Sequence, residues 1–71
     1  MRANQLVSDT GLRRVDWVRM FVGRGQLRAE AVGIGFRLPA TRSIPLATAA
    51  SLIAGGTPYV THVVPPEPER H

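Results

Sequence analysis

The side chains that could perform acid–base or metal chemistry are few and far apart in this sequence. Two histidines are present, His62 among apolar residues and His71 at the end of the chain, and the acids before residue 65 are Asp9, Asp16 and Glu30. Catalysis by paired carboxylates needs two acids a few ångströms apart, and a metal site needs three or four converging ligands. The chain has no cysteine, which excludes thiolate ligands and disulfides. We therefore expect no enzymatic activity, no metal, no cofactor and no small-molecule substrate.

Two short glycine motifs match phosphate-binding loops only in part. The segment 33–37 reads Gly-Ile-Gly-Phe-Arg, but a dinucleotide-binding fingerprint needs a third glycine and a helix that starts directly afterwards. The segment 23–25, Gly-Arg-Gly, lacks the Lys-Ser or Lys-Thr pair of a nucleoside-triphosphate loop. We interpret the first motif as a β-bulge and the second as a tight turn.

Arginine supplies all of the positive charge. The nine basic residues are all arginine, and the formal net charge is +4. Seven of them lie between residues 13 and 42 with only two acids, which gives this stretch a charge of +5, whereas residues 43–64 contain no Asp, Glu, Lys or Arg. A GC-rich coding bias would produce this composition. Selection for function would also favour arginine, because its planar, forked donors bind phosphate and carboxylate.

The segment from Leu12 to Val22 is rich in β-branched and aromatic residues, which favours a β-strand. A helix is the competing interpretation, because three of its valines are also spaced three and four residues apart. In a strand, one face would carry Val15, Trp17, Arg19 and Phe21. A turn at residues 23–26 then leads into a second strand from Leu27 to Leu38, and the two strands form a hairpin.

The hairpin determines which side chains face each other. A loop at residues 23–26 sets Glu30 opposite Arg19, which predicts a cross-strand salt bridge. The apolar face of the second strand would carry Val32, Ile34, Phe36 and Leu38. The glycines between them, Gly33 and Gly35, predict either a bulge near Gly33 or the close approach of another backbone.

A helix and a third strand follow the hairpin. Ser43 is a suitable N-cap and Pro45 fits the first helical turn, so a helix is predicted over Leu46–Ala54, where two glycines end it. The uncharged segment Tyr59–Val64 is predicted to be the third strand, parallel to the second because a helical crossover separates them. The predicted fold is therefore a small two-layer α+β domain of β–β–α–β order, a β-hairpin plus one helix packed on a three-stranded sheet.

The length of 71 residues limits the chain to one domain. We predict that this domain covers residues 12–64 and follows an N-terminal segment, 1–11, with an edge strand at residues 4–8. Residues 65–71 have three prolines among charged residues, which predicts a disordered tail. No apolar run reaches the roughly 18–20 residues of a membrane span, so we expect a cytoplasmic protein with no membrane partner.

Two classes of binding function remain, and each has its own surface. The first is RNA or DNA binding, because a two-stranded ribbon fits the major groove and a sheet with arginine and aromatic residues can stack bases. The nucleic-acid-binding residues would be Arg19, Arg24, Arg28, Trp17 and Phe21, with the arginines exposed. The second is a protein partner or a homodimer that pairs with the uncharged last strand, since a core this small gains stability from pairing. Salt weakens phosphate contacts steeply and apolar pairing little, so a salt titration separates the two classes.

Overall fold

The computed structural model describes residues 7, 9–23 and 25–64, which form a four-stranded mixed sheet with one helix packed on one face. The elements are β1 (Arg14–Gly23), β2 (Gln26–Ile34), β3 (Pro39–Ile44), α1 (Leu46–Ala54) and β4 (Tyr59–Val63). The strand order is β3-β2-β1-β4; β2 runs antiparallel to β1 and β3, and β4 runs parallel to β1. The predicted α+β fold with a hairpin and one helix is confirmed, whereas the predicted three strands are four.

β1 and β2 form the predicted hairpin, so the strand interpretation of residues 12–22 is confirmed and the helix is wrong. Two glycines shape the turn, because Gly23 and Gly25 have φ angles of 141° and 72°, which side chains rarely allow. Gly23 also contacts the end of the last strand, since a Cβ there would lie 2.6 Å from the carbonyl oxygen of Val64. The resulting register sets Arg19 opposite Glu30, as predicted.

A bulge interrupts β1 near its start. The register shifts between Val15 and Trp17, which leaves Asp16 without a partner across the ladder. On the neighbouring strand, Gly33 has no room for a side chain, because a Cβ would overlap the carbonyl oxygen of Arg14 and lie 2.9 Å from the Cα of Val15. The predicted close approach of another backbone at Gly33 is confirmed, but the bulge lies in β1 rather than in the second strand.

The predicted second strand is too long, because the chain turns back after Ile34. Residues 35–38 form a turn in which the N–H of Gly35 donates to the carbonyl oxygen of Leu38 at 2.9 Å. The chain then returns as β3, whose first residue, Pro39, needs no ladder donor at a sheet edge. Phe36 and Leu38, predicted to lie on an apolar strand face, are instead 70% and 69% exposed.

The helix over Leu46–Ala54 is confirmed, but its predicted N-cap is wrong. Ser43 lies within β3 opposite Glu30, and Pro45 occupies the N-cap position in an extended conformation, with no side-chain cap. The last strand is confirmed as Tyr59–Val63, whereas its predicted direction is wrong. It runs parallel to β1 and therefore antiparallel to β2, because β3 already occupies the free edge of β2.

The core lies between the sheet and α1 and is small. Its buried members are Leu12, Val18, Ala29, Ala31, Ile44, Ala49 and Leu52. Alanines on both layers let the helix lie close to the sheet, although they bury little apolar area. Among the described residues no helix is long and apolar enough to cross a membrane. The predicted edge strand at 4–8 and the predicted tail at 65–71 lie outside the described residues, apart from Val7, which is helical.

Candidate functional site

The sheet face turned away from α1 carries most of the residues predicted to bind nucleic acid. Strand alternation puts Trp17, Arg19 and Phe21 of β1 on the face opposite the buried Val18, and Arg28 of β2 lies directly across from Phe21. Together with Glu30 and His62, these residues are called the open face below. Arg24 lies outside the described residues.

A single carboxylate, that of Glu30, forms ion pairs with both arginines of the open face. Arg19 Nη1 donates to Glu30 Oε1 at 3.2 Å, and Arg28 Nη1 lies 3.7 Å from Glu30 Oε2. The predicted salt bridge between Arg19 and Glu30 is therefore confirmed. The predicted exposure of the arginines holds for Arg28, whose side chain is 56% exposed, but the side chain of Arg19 is only 32% exposed. Any phosphate that approaches these arginines must compete with Glu30.

The aromatic rings of the open face also contact neighbouring side chains of the protein. The Cζ atom of Arg19 lies 5.0 Å from the ring centroid of Trp17, and that of Arg28 lies 4.0 Å from the ring centroid of Phe21. The ring of His62 stacks on Phe21 with 5.4 Å between centroids and 21° between planes. Each cation–π contact contributes about 0.5–1 kcal/mol at an exposed site. A base that stacks on a ring face covered by one of these neighbours must displace that neighbour.

The other half of the molecule, α1 and β4, carries no formal charge. No Asp, Glu, Lys or Arg occurs from residue 43 to 64, and all five residues of β4 are exposed. Three of them are large and apolar or aromatic, since Tyr59, Val60 and Val63 are 56%, 48% and 78% exposed. An uncharged edge strand with this much exposed apolar area is a typical pairing surface.

An apolar groove lies between α1 and this half of the sheet. Its volume is about 580 Å³, and no charged residue lines it. The residues that form its walls include Leu46, Ala50, Ile53, Met20, Val22 and Tyr59. The groove therefore continues the apolar surface of β4 onto the helix side of the sheet.

The free edge of β4 presents backbone donors and acceptors at alternate residues. The N–H of Val18 donates to the carbonyl oxygen of Pro58 at 2.9 Å, and the N–H of Val64 donates to that of Val22 at 2.7 Å. In a parallel ladder that begins and ends with these two hydrogen bonds, the even-numbered residues of β4 are the ones whose N–H and C=O groups bond to β1. The N–H and C=O groups of Tyr59, Thr61 and Val63 consequently point outward, away from β1.

A third surface, the turn between β2 and β3, was missed by the sequence reasoning. Residues 35–38 are called the β2–β3 tip below. Its Phe36 is 70% exposed and contacts two arginines, with the Cζ atoms of Arg13 and Arg37 at 5.4 and 5.6 Å from the ring centroid. Arg37 has a φ of 68°, unusual for a residue with a side chain. Gly35, the first residue of this segment, and Pro39, which follows it, were the available turn signal.

Metal and acid–base chemistry find no support in the part of the chain that the structure describes. No group of three or more histidine or acidic side chains there could hold a metal ion. His62 stacks on Phe21, and Asp16 pairs with Arg14 at 2.8 Å. The absence of enzymatic activity stays a prediction.

Comparison with known proteins returns no relative for this chain. No family model, no curated protein and no solved structure matches it. Three surfaces of the described residues are candidates for a binding function: the open face, the β4 edge with its groove, and the β2–β3 tip.

Proposed function

We propose that the protein is a small homo-oligomerising module that extends its sheet by pairing β4 with β4 of a second copy across a twofold axis. The observation that carries this proposal is that β4 is an exposed, uncharged edge strand with outward backbone groups at three alternate residues. Edge strands with these properties pair readily with another strand, which gives main-chain hydrogen bonds and apolar contacts together.

The positions of the outward groups suit antiparallel pairing of identical strands. Tyr59, Thr61 and Val63 are placed symmetrically about Thr61, so a twofold axis through Thr61 sets Tyr59 opposite Val63 of the second copy. Each of these facing pairs exchanges two N–H to C=O bonds in an antiparallel ladder. The outward N–H and C=O groups of one copy therefore match those of the second copy, and the strand needs no change of conformation to pair.

Side-chain chemistry agrees with this pairing. Tyr59 lines the open side of the groove, and in this register Val63 of the second copy would lie beside it and cover apolar surface. The charged residues of the described chain lie outside α1 and β4, so pairing brings no like charges together even though each copy has a net charge of +4. The small, alanine-rich core gives a further reason, because a core in a domain of this size supplies only about 3–5 kcal/mol.

The test is sedimentation velocity at tens of micromolar. Thr61→Lys would place two ammonium groups against each other at the twofold axis, and we expect this variant to be monomeric while the wild type is dimeric. Thr41→Lys is the matched control, because Thr41 is an exposed threonine on β3, the opposite edge of the sheet, and this variant should stay dimeric. A wild type that is monomeric throughout this range, or a Thr61→Lys variant that dimerises as well as the wild type, would refute the proposal.

A second candidate function is nucleic-acid binding through the open face. It is supported by the clustering of Arg19 and Arg28 with two aromatic rings on one exposed side of the sheet. Glu30 weakens it, since this carboxylate already binds both guanidinium groups. A salt titration with RNA and DNA oligonucleotides tests this candidate independently of dimerisation.

A further inference from the structure

We propose that the β2–β3 tip, together with Arg13, binds single-stranded nucleic acid, with one base stacked on Phe36 and adjacent phosphates bound by Arg13 and Arg37. This inference does not depend on the pairing of β4 and concerns a different surface from the open face. It rests on three features of the tip: an exposed ring, two arginines without an acidic partner, and an unusual backbone conformation.

The exposure of Phe36 is the first feature. The ring projects from a four-residue turn and is 70% exposed, and Leu38 beside it is 69% exposed. The turn is closed by a single hydrogen bond, from the N–H of Gly35 to the carbonyl oxygen of Leu38. No core contact requires an aromatic residue here, because the buried cluster lies between the sheet and α1. The ring is thus positioned for an external contact.

The second feature is the distribution of acidic side chains. Asp16 pairs with Arg14, and Glu30 pairs with Arg19 and Arg28. Among the described residues, Arg13 and Arg37 form no ion pair, and both guanidinium groups lie over the ring of Phe36. The tip is therefore a place where positive charge is not offset by an adjacent carboxylate.

The third feature is the backbone of Arg37. Its φ of 68° is the only positive φ at a described residue other than glycine. Glycine would adopt this conformation without steric cost, so an arginine at this position is less favourable for the turn than a glycine would be. Residues in such conformations cluster at binding sites, where the surrounding structure imposes them.

These features together fit a nucleotide in a single strand. An anion alone would need the arginines but not the exposed ring, whereas a nucleotide offers both a phosphate and a planar base. Bases in a duplex are already stacked and cannot cover Phe36, which favours unpaired strands. A lipid surface fits less well, because Phe36 and Leu38 are separated by the charged Arg37 and offer little continuous apolar area.

Binding would exchange one set of contacts for a stronger one. In the free protein the two guanidinium groups lie 5.4 and 5.6 Å from the ring centroid. A base that stacks on Phe36 displaces a guanidinium group, which can then form charge-assisted hydrogen bonds to a phosphate. The ring keeps a planar neighbour, and the arginine gains an ionised acceptor.

The experiment is fluorescence anisotropy with labelled single-stranded DNA and RNA of mixed sequence at about 50 mM salt, where electrostatic binding is strong. We expect Phe36→Ala to weaken binding by roughly 5- to 150-fold, the range for loss of one stacked base. Replacing both Arg13 and Arg37 by glutamine should reduce the slope of log K against log salt by about 1.4, since a single strand contributes about 0.7 for each phosphate contact. Arg42→Gln is the control, because Arg42 is an exposed arginine of β3 outside the tip, and its slope should equal that of the wild type.

A separate variant distinguishes lost binding from lost folding. Arg37→Gly removes the charge and accepts the positive φ, so its melting temperature should be close to or above that of the wild type while its affinity falls. Three results would overturn the inference: no binding at this salt concentration, tighter binding to duplex than to single strands, or no effect of Phe36→Ala. Phe36-dependent binding to vesicles rich in phosphatidylserine, without binding to the oligonucleotides, would also overturn it and identify a lipid surface instead.

Discussion

The guanidinium carbon of Arg28 lies 4.0 Å from the ring centroid of Phe21, the residue directly across from it on β1. His62 is the partner of the same phenylalanine on β4, so three strands contribute one row of stacked side chains. This row ends at the edge strand. The chemistry of the open face and the position of β4 are therefore linked through Phe21.

Glu30→Gln tests whether the open face binds nucleic acid. The substitution keeps the shape of the side chain and releases Arg19 and Arg28 from a shared carboxylate. If these arginines bind phosphates, the slope of log K against log salt on duplex DNA should steepen by about 0.9 for each new contact. Asp16→Asn is the control, because it removes one charge from the exposed pair with Arg14. Equal slopes for the two variants would exclude the open face as a phosphate-binding site.

Gly33→Ala should destabilise the fold by about 1–3 kcal/mol, because its Cβ would overlap the backbone of β1 at Arg14. Gly35→Ala is the matched control on the same segment. A Cβ there would lie 3.4 Å from the Cβ of Ala40, a contact that needs only a slight adjustment. Urea denaturation of both variants measures the difference. Similar midpoints for the two would contradict the close approach of β1 to Gly33.

Leu12→Ala should unfold most of the protein at 25 °C. Leu12 is fully buried, and loss of a buried leucine side chain costs about 2–5 kcal/mol, comparable to the whole stability of a domain this small. Leu38→Ala removes the same atoms from a side chain that is 69% exposed, and its stability should match the wild type. Circular dichroism at several temperatures measures the folded fraction of both variants. A folded, cooperative Leu12→Ala variant would show that the core does not depend on this residue.

The proposed dimer should persist at about 1 M salt, where exposed charges more than a few ångströms apart are screened. The proposed interface contains no Asp, Glu, Lys or Arg, so its affinity should change little with ionic strength. The melting temperature should rise with protein concentration, because association stabilises the folded state. Sedimentation at low and high salt checks the first expectation. Dissociation at high salt would mean that charged residues hold the copies together and that β4 does not.

The hairpin was predictable because its signals are local. Two glycines that flank a single residue, Gly23 and Gly25, set the turn, and the turn then fixed Glu30 opposite Arg19. The face shared by Trp17, Arg19 and Phe21 followed from strand alternation. Val15, predicted to lie on the same face, packs against the core instead, because the bulge between Val15 and Trp17 interrupts the alternation. Alternation also places Arg28 on the same face as Glu30, but the contact between their side chains depends on the conformation of both, which the sequence pattern does not give.

β3 was missed because alternation continues where the strand does not. Phe36 and Leu38 extend the pattern of Val32 and Ile34, although the chain has already turned at Gly35. This omission caused a second error, in the direction of the last strand. With β3 absent, the outer edge of β2 was left free, and the last strand was assigned a direction parallel to β2. Its true partner, β1, could be chosen only once every strand was counted.

The connection from β3 through α1 to β4 has a kinetic consequence. β1, β2 and β3 are joined by short turns and can pair soon after they are made, whereas β4 pairs with β1 from a distant part of the chain. Contacts between distant segments form more slowly than local ones, because closing the long loop between them costs conformational entropy. We therefore expect the β4 edge to be assembled at the end of folding. Nascent chains on the ribosome would then lack the surface through which we propose that finished copies associate.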